Sequence, residues 1–212
     1  MLELFKPNDM LRFNLLMFLL CFFALNIFAQ AKPIYFSGNR VTTDKDRATS
    51  YGVYGKLSRE DLWVLKRYDL DDNLMFSGAY KDEQLTKPEG KFIFYGSIYD
   101  YNYQNFTNFK NPTTDRYITQ QGMYVDGLEE GKWVDYFPDG VVMGYRNYKN
   151  GKLDGETAYF NHKGRRLFVG QYKAGLKTGT WYDLKKKVKD VFEDDKLVST
   201  SKLKRSEILA IE

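Results

Sequence analysis

A spacing of 24 residues recurs through the second half of the chain. Tyr124, Tyr148 and Tyr172 keep this step, as do Gly127, Gly151 and Gly175, and again Gly131, Gly155 and Gly179. Trp133, Thr157 and Trp181 follow it too, and Gly140 matches Gly164. Several independent columns held in register over three units identify a structural repeat. A unit this short has room for one supersecondary element, which must stack on its neighbours to bury a face.

The residues point to a β-hairpin. Asp126-Gly127 and Asn150-Gly151 supply the positive φ that tight turns require. The flanking segments, such as residues 131–137, are aromatic and β-branched, as strands are. Pro138-Asp139-Gly140 and His162-Lys163-Gly164 then reverse the chain into the next unit. The 17 Tyr and 16 Phe of the chain suit half-exposed sheet, because a ring can be buried while its hydroxyl meets water. A lone hairpin is marginal in water. The expected fold is therefore mainly β: tandem antiparallel hairpins of 24-residue period forming an elongated single sheet. Tyr124, Tyr148 and Tyr172 should make one aromatic row and Trp133, Thr157 and Trp181 another, both as core packing.

The unit Tyr-x-x-Gly-x-x-x-Gly-x-(Trp/Thr) over residues 122–183, with Asp or Asn before the first glycine in two of the three units, resembles MORN repeats (membrane occupation and recognition nexus). The likeness is to the variant form of exported bacterial proteins, some of them antitoxin-like. Gly78, Tyr80, Gly90 and Phe92 resemble an earlier unit with a lengthened turn at residues 81–89. Residues 63–73 are a weaker echo, and residues 191–197 suit a polar capping strand. The resemblance implies an extended antiparallel sheet used for contact with proteins or lipids.

The N-terminus reads as an export signal. Residues 15–25 are an unbroken apolar run, Arg12 precedes them, and Ala29-Gln30-Ala31 gives small residues at −3 and −1. The run is shorter than the ~18 residues a membrane-spanning helix needs. The expectation is a signal peptide at residues 1–31, with Met10 as an alternative start, cleaved after Ala31 or retained as an anchor. Cleavage leaves no cysteine, since Cys21 lies in the apolar run, and no integral membrane span. The protein is then expected in the periplasm, the cell envelope or the medium.

Three segments stand outside the repeat. Residues 32–60 read as an N-terminal cap, with a helix-capping signal at residues 42–45. The array itself is expected over residues 61–198, and a polar tail over residues 199–212. Residues 97–121 interrupt the array. Tyr95, Tyr99, Tyr101 and Tyr103 alternate as rings on one face of a strand would. Tyr99, Tyr101, Tyr103, Asn105 and Phe106 form the candidate binding site, since rings stack and amides bond adaptably; the alternative is a lengthened hairpin whose rings cover a neighbouring sheet face. Lys185, Lys186, Lys187 and Lys189 read as lysine protection of an edge strand, and Lys202, Lys204 and Arg205 as part of the tail. Both clusters would also attract anionic lipid headgroups or wall polymers.

Catalytic chemistry is poorly supplied. His162 is the only histidine and sits in a turn, so a histidine-based triad would rest on it alone. No metal or cofactor site is expected. Glu129-Glu130 and Asp194-Asp195 read as solvated turn charges. The expected function is an exported, non-catalytic module that binds a protein or an envelope lipid or polymer, and not nucleic acid. The alternatives are an antitoxin or immunity-like protein that blocks an exported toxin, and a carboxylate-dependent glycan hydrolase.

Overall fold

The computed structural model describes residues 32–57, 60–111 and 113–211. The expected export signal lies outside them. Strand makes up 60% of the structure, and fifteen strands form one open antiparallel sheet. In chain order they are β1 (Lys32–Ser37), β2 (Arg40–Thr42), β3 (Ser50–Leu57), β4 (Leu62–Asp69), β5 (Leu74–Tyr80), β6 (Pro88–Ser97), β7 (Arg116–Val125), β8 (Leu128–Tyr136), β9 (Val142–Lys149), β10 (Lys152–Leu153), β11 (Gly155–Phe160), β12 (Arg166–Lys173), β13 (Leu176–Asp183), β14 (Val188–Glu193) and β15 (Lys196–Lys202). From β3 to β15 the strands lie side by side in chain order, with the short β10 and then β11 both pairing with β9. At the other edge β1 sits between β3 and β2. The helices are α1 (Ile98–Asn105) and α2 (Arg205–Ile211). No helix among the described residues is long and apolar enough to cross a membrane.

The tandem-hairpin expectation is met, and the sheet runs further than residues 61–198. Residues 32–57 contribute three strands, and β15 carries the sheet to Lys202. The capping signal is used as read: the Asp44 carboxylate accepts from Asp46 N at 3.1 Å and opens a single 3-10 turn, Lys45–Arg47. The lysine expectation needs correction, because β14 is paired on both sides and the edge is β15. Lys185, Lys186 and Lys187 lie in the turn before β14.

One end of the sheet carries the tight turns. Asp126-Gly127, Asn150-Gly151, Ala174-Gly175 and Asp194-Asp195 all hold both central residues at positive φ, as type I′ hairpins require. These turns are tied to one another. Gly127 N donates to Pro88 O (2.9 Å), Gly151 N to Glu129 O (3.0 Å), Gly175 N to Leu153 O (2.7 Å) and Asp195 N to Lys177 O (3.0 Å). A carboxylate of the preceding hairpin takes the other exposed amide: Glu89 from Asp126 N, Glu130 from Asn150 N, and Asp154 from Ala174 N, at 2.8, 2.8 and 3.0 Å. Each hairpin therefore satisfies the turn amides of the next.

The main aromatic cluster is built around missing Cβ atoms. Three residues of β8, Gly131 to Trp133, oppose the single Gly122 of β7, so the indole swings flat across that glycine. A Cβ at Gly122 would lie 2.1 Å from Trp133 Cδ2, and one at Gly170 the same distance from Trp181 Cδ2. Phe92 covers Gly78 in the same way, at 2.3 Å. Both indoles are 3% exposed. The one unit that departs is consistent: Arg146 stands where glycine would, and Thr157 where tryptophan would. Arg146 Nη2 instead reaches both Asp135 oxygens at 3.0 Å. The tyrosine and tryptophan columns interleave rather than running as separate rows. Tyr124 and Tyr148 flank Trp133 edge-on at 5.0 and 6.2 Å, and Tyr172 meets Trp181 at 4.9 Å.

A candidate contact surface at the wide-turn end

The opposite end of the sheet holds wider turns, at residues 69–74, 137–141, 161–165 and 184–187, and the connection between β6 and β7. That connection begins with a helix, which corrects the expectation of a strand bearing Tyr99, Tyr101 and Tyr103 on one face. Ser97 is the N-cap: its Oγ accepts from Asp100 N at 3.0 Å and donates to Asp115 Oδ2 at 2.6 Å. Asp115 Oδ1 accepts a second amide of the first turn, Tyr99 N, at 2.9 Å. Phe106 closes the helix in the left-handed region at φ 54°. The signal for this was Ser97-x-x-Asp100, an N-terminal capping pattern.

Helical geometry splits the candidate residues into two sets. Tyr99 and Tyr103 fall at i and i+4 on one side of α1, and Phe106 follows at its left-handed C-cap. They are 70%, 76% and 96% exposed, three rings with little covering them. Tyr101 turns the other way and packs edge-on against Phe109 (5.7 Å) and Tyr117 (5.9 Å). Burial, then the charge of Asp139, pushes its hydroxyl pKa up. Burial does the same to Tyr117, to about 12. Asn105 is also committed internally, since its Nδ2 donates to Tyr101 O at 2.9 Å.

The loop after α1 is tied back by Asn102. Its Oδ1 accepts from Phe109 N (2.8 Å) and Thr107 Oγ1 (2.9 Å), while Nδ2 donates to Phe109 O (2.9 Å). This carries the Phe109 ring over the neighbouring turns, 6.4 Å from Phe137 and 5.1 Å from His162. His162 is exposed, with Nε2 2.6 Å from Asp139 Oδ2. The histidine thus joins two turns and the insertion. An open cleft of about 500 Å³ lies between α1 and this loop, lined by Tyr99, Asn102, Phe109, Asn111, Thr114 and Asp115 among others. The Asn102 and Asp115 side chains are already engaged in the bonds given above. The accessible groups of the insertion are then its exposed rings, together with Lys110 at the cleft and the exposed Gln104 and Asn108.

Two of the four carboxylates read as solvated turn charges, Glu130 and Asp195, are structural acceptors instead. Glu130 locks Asn150, and Asp195 Oδ1 accepts Lys177 N at 2.7 Å. Sequence reading missed Glu89, Glu130 and Asp154 as a set. Their signal was an acidic residue directly before Gly90, Gly131 and Gly155. Among the described residues no group of three or more His, Cys, Asp or Glu is placed to hold a metal ion. No family model matches the chain, and no curated protein matches it.

Proposed function

We propose that this is an exported, non-catalytic binding and scaffolding module that contacts a protein or envelope partner through the wide-turn end of a MORN-like hairpin sheet. The observation that carries the reading is the exposed trio Tyr99, Tyr103 and Phe106 on a helix and its C-cap, inserted into an otherwise regular array. Rings left in water cost free energy, and exposed aromatics grouped on one short element mark contact surfaces. The two ends of the sheet are built differently. At the tight-turn end, amides and carboxylates bond hairpin to hairpin, so that end is occupied with holding the stack. The insertion is anchored firmly by Asp115, Asn102 and Phe109, which presents the rings on a rigid support.

The test is capture of a stoichiometric partner by the protein from envelope extract. The comparison is between a Tyr99→Ser/Tyr103→Ser/Phe106→Ser variant and a Leu128→Ser/Leu176→Ser variant at the tight-turn end. Capture lost only in the ring variant supports the reading. Capture indifferent to the rings overturns the assignment of the surface. Turnover of a wall polymer that one carboxylate substitution abolishes overturns the non-catalytic reading.

A further inference from the structure

The basic segments that are separate in sequence meet at the same end of the sheet. Val188 pairs with Lys202, and Leu203 N donates to Lys187 O at 2.9 Å, so the turn before β14 lies beside the end of β15. Leu184 N donates to Leu167 O at 2.9 Å, which sets that turn beside the one between β11 and β12. Lys163, Arg165, Lys185, Lys186, Lys187, Lys202, Lys204 and Arg205 are all exposed there. Lys186 has an ion-pair partner, Asp183 at 3.6 Å, and Lys204 has the Glu207 carboxylate close by, which accepts from Lys204 N at 2.8 Å. At about 4.8 Å per strand the row runs roughly 15–20 Å along the strand ends.

We infer that this row is a docking track for a flexible linear polyanion of the acidic-polysaccharide class, which names a partner for the binding module proposed above and rests on that reading. Three features select this occupant. Lysine dominates, and its compact, mobile charge suits diffuse ionic contact rather than bidentate recognition of one group. Strands in a sheet rotate by about 20–25° each, so the tips from β12 to β15 fan through roughly 60–75°. A chain can follow such a fan, whereas a flat bilayer meets only part of it. Single-stranded nucleic acid stacks its bases on rings, and the one ring in the turns of this row, His162, is already packed edge-on against Phe109 and Phe137. The only large apolar side chain exposed in this row is Leu209.

The test measures binding of the full chain to polygalacturonate and to heparin at low and raised salt. One variant is Lys185→Gln/Lys187→Gln/Lys202→Gln/Lys204→Gln. A control removes the same charge at the tight-turn end: Lys149→Gln/Lys152→Gln/Lys173→Gln/Lys196→Gln. The expected result is salt-sensitive binding to at least one polymer, weakened tenfold or more by the first variant and less than twofold by the second. Equal loss in both variants, binding to neither polymer, or a row-dependent preference for anionic vesicles or an oligodeoxythymidine would each overturn the inference. Failure here with ring-dependent partner capture intact would leave the proposed function standing.

Discussion

Replacing Gly122 by alanine inserts one methyl where the indole of Trp133 lies. The added Cβ would sit 2.1 Å from Cδ2, 2.3 Å from Cε2 and 2.5 Å from Cγ, so the ring must leave its position. The backbone at Gly122 is not in the left-handed region, so the cost is steric rather than conformational. Overpacking of this kind costs about 1–3 kcal/mol. In a chain of this size that lowers the melting midpoint by roughly 2–12 °C. Trp133→Thr removes a ring that is 3% exposed, at a cost comparable to the ~3–5 kcal/mol of other large-to-small aromatic changes. The double variant should cost less than the sum by about 1–3 kcal/mol, because the methyl then enters space the indole has vacated. The Arg146 and Thr157 unit already shows a larger residue paired with a smaller one. Urea unfolding followed by far-ultraviolet circular dichroism gives all three costs. A silent Gly122→Ala, or strictly additive costs, would refute the reasoning.

Other consequences follow from the turns and their charges. Gly151→Val places a β-branched residue at φ 74° with Leu128 Cδ2 only 3.2 Å from the new Cβ, and should cost about 1–3 kcal/mol. An unchanged melting temperature would count against that turn. Glu130→Gln and Asp154→Asn weaken the acceptors of Asn150 N and Ala174 N and should each lose about 0.5–1.5 kcal/mol by urea unfolding. Losses no larger than those of exposed Glu60→Gln would refute the locking role. Hydrogen bonds from Lys81 and then Lys87 hold the Asp126 pKa below its usual value, and the amide of Thr86 does the same for Asp82. A depressed carboxylate stabilises the fold above its unfolded pKa of about 4, and the effect disappears as pH falls through the lowered folded value. Asp126→Asn should therefore flatten the fall in melting temperature below about pH 4; an unaltered acid profile would contradict the pairing.

The array was legible in the sequence because each column has its own steric reason to recur. Gly127, Gly151 and Gly175 answer to turn φ, whereas Trp133 and Trp181 answer to space over a glycine. The alternation of Tyr95, Tyr99, Tyr101 and Tyr103 misled because a period of two can coincide with part of a helical face. What decided the matter was capping, and Asp115, one of its agents, lies 18 residues from Ser97. A nonlocal partner of that kind leaves no periodic trace. The end of the sheet was hidden differently. Every residue of β15 is exposed, so it shows no apolar alternation and read in part as tail. Residues 185–187 and 202–205 read as separate clusters because only strand pairing brings them together.

The claim that the tight-turn amides are locked hairpin to hairpin, while the tips of the wide turns are left free for contact, is tested most directly by residue-resolved amide hydrogen exchange. The amides of Gly127, Gly151 and Gly175 bond to the neighbouring hairpin, so they should exchange slowly, near the rate of the strand interiors. The turn amides of Lys163 and Lys186 bond only to side chains within their own turns, Asn161 and Asp183, and should exchange much faster. Fast exchange at the three glycines, or equal protection at both ends, would contradict the account.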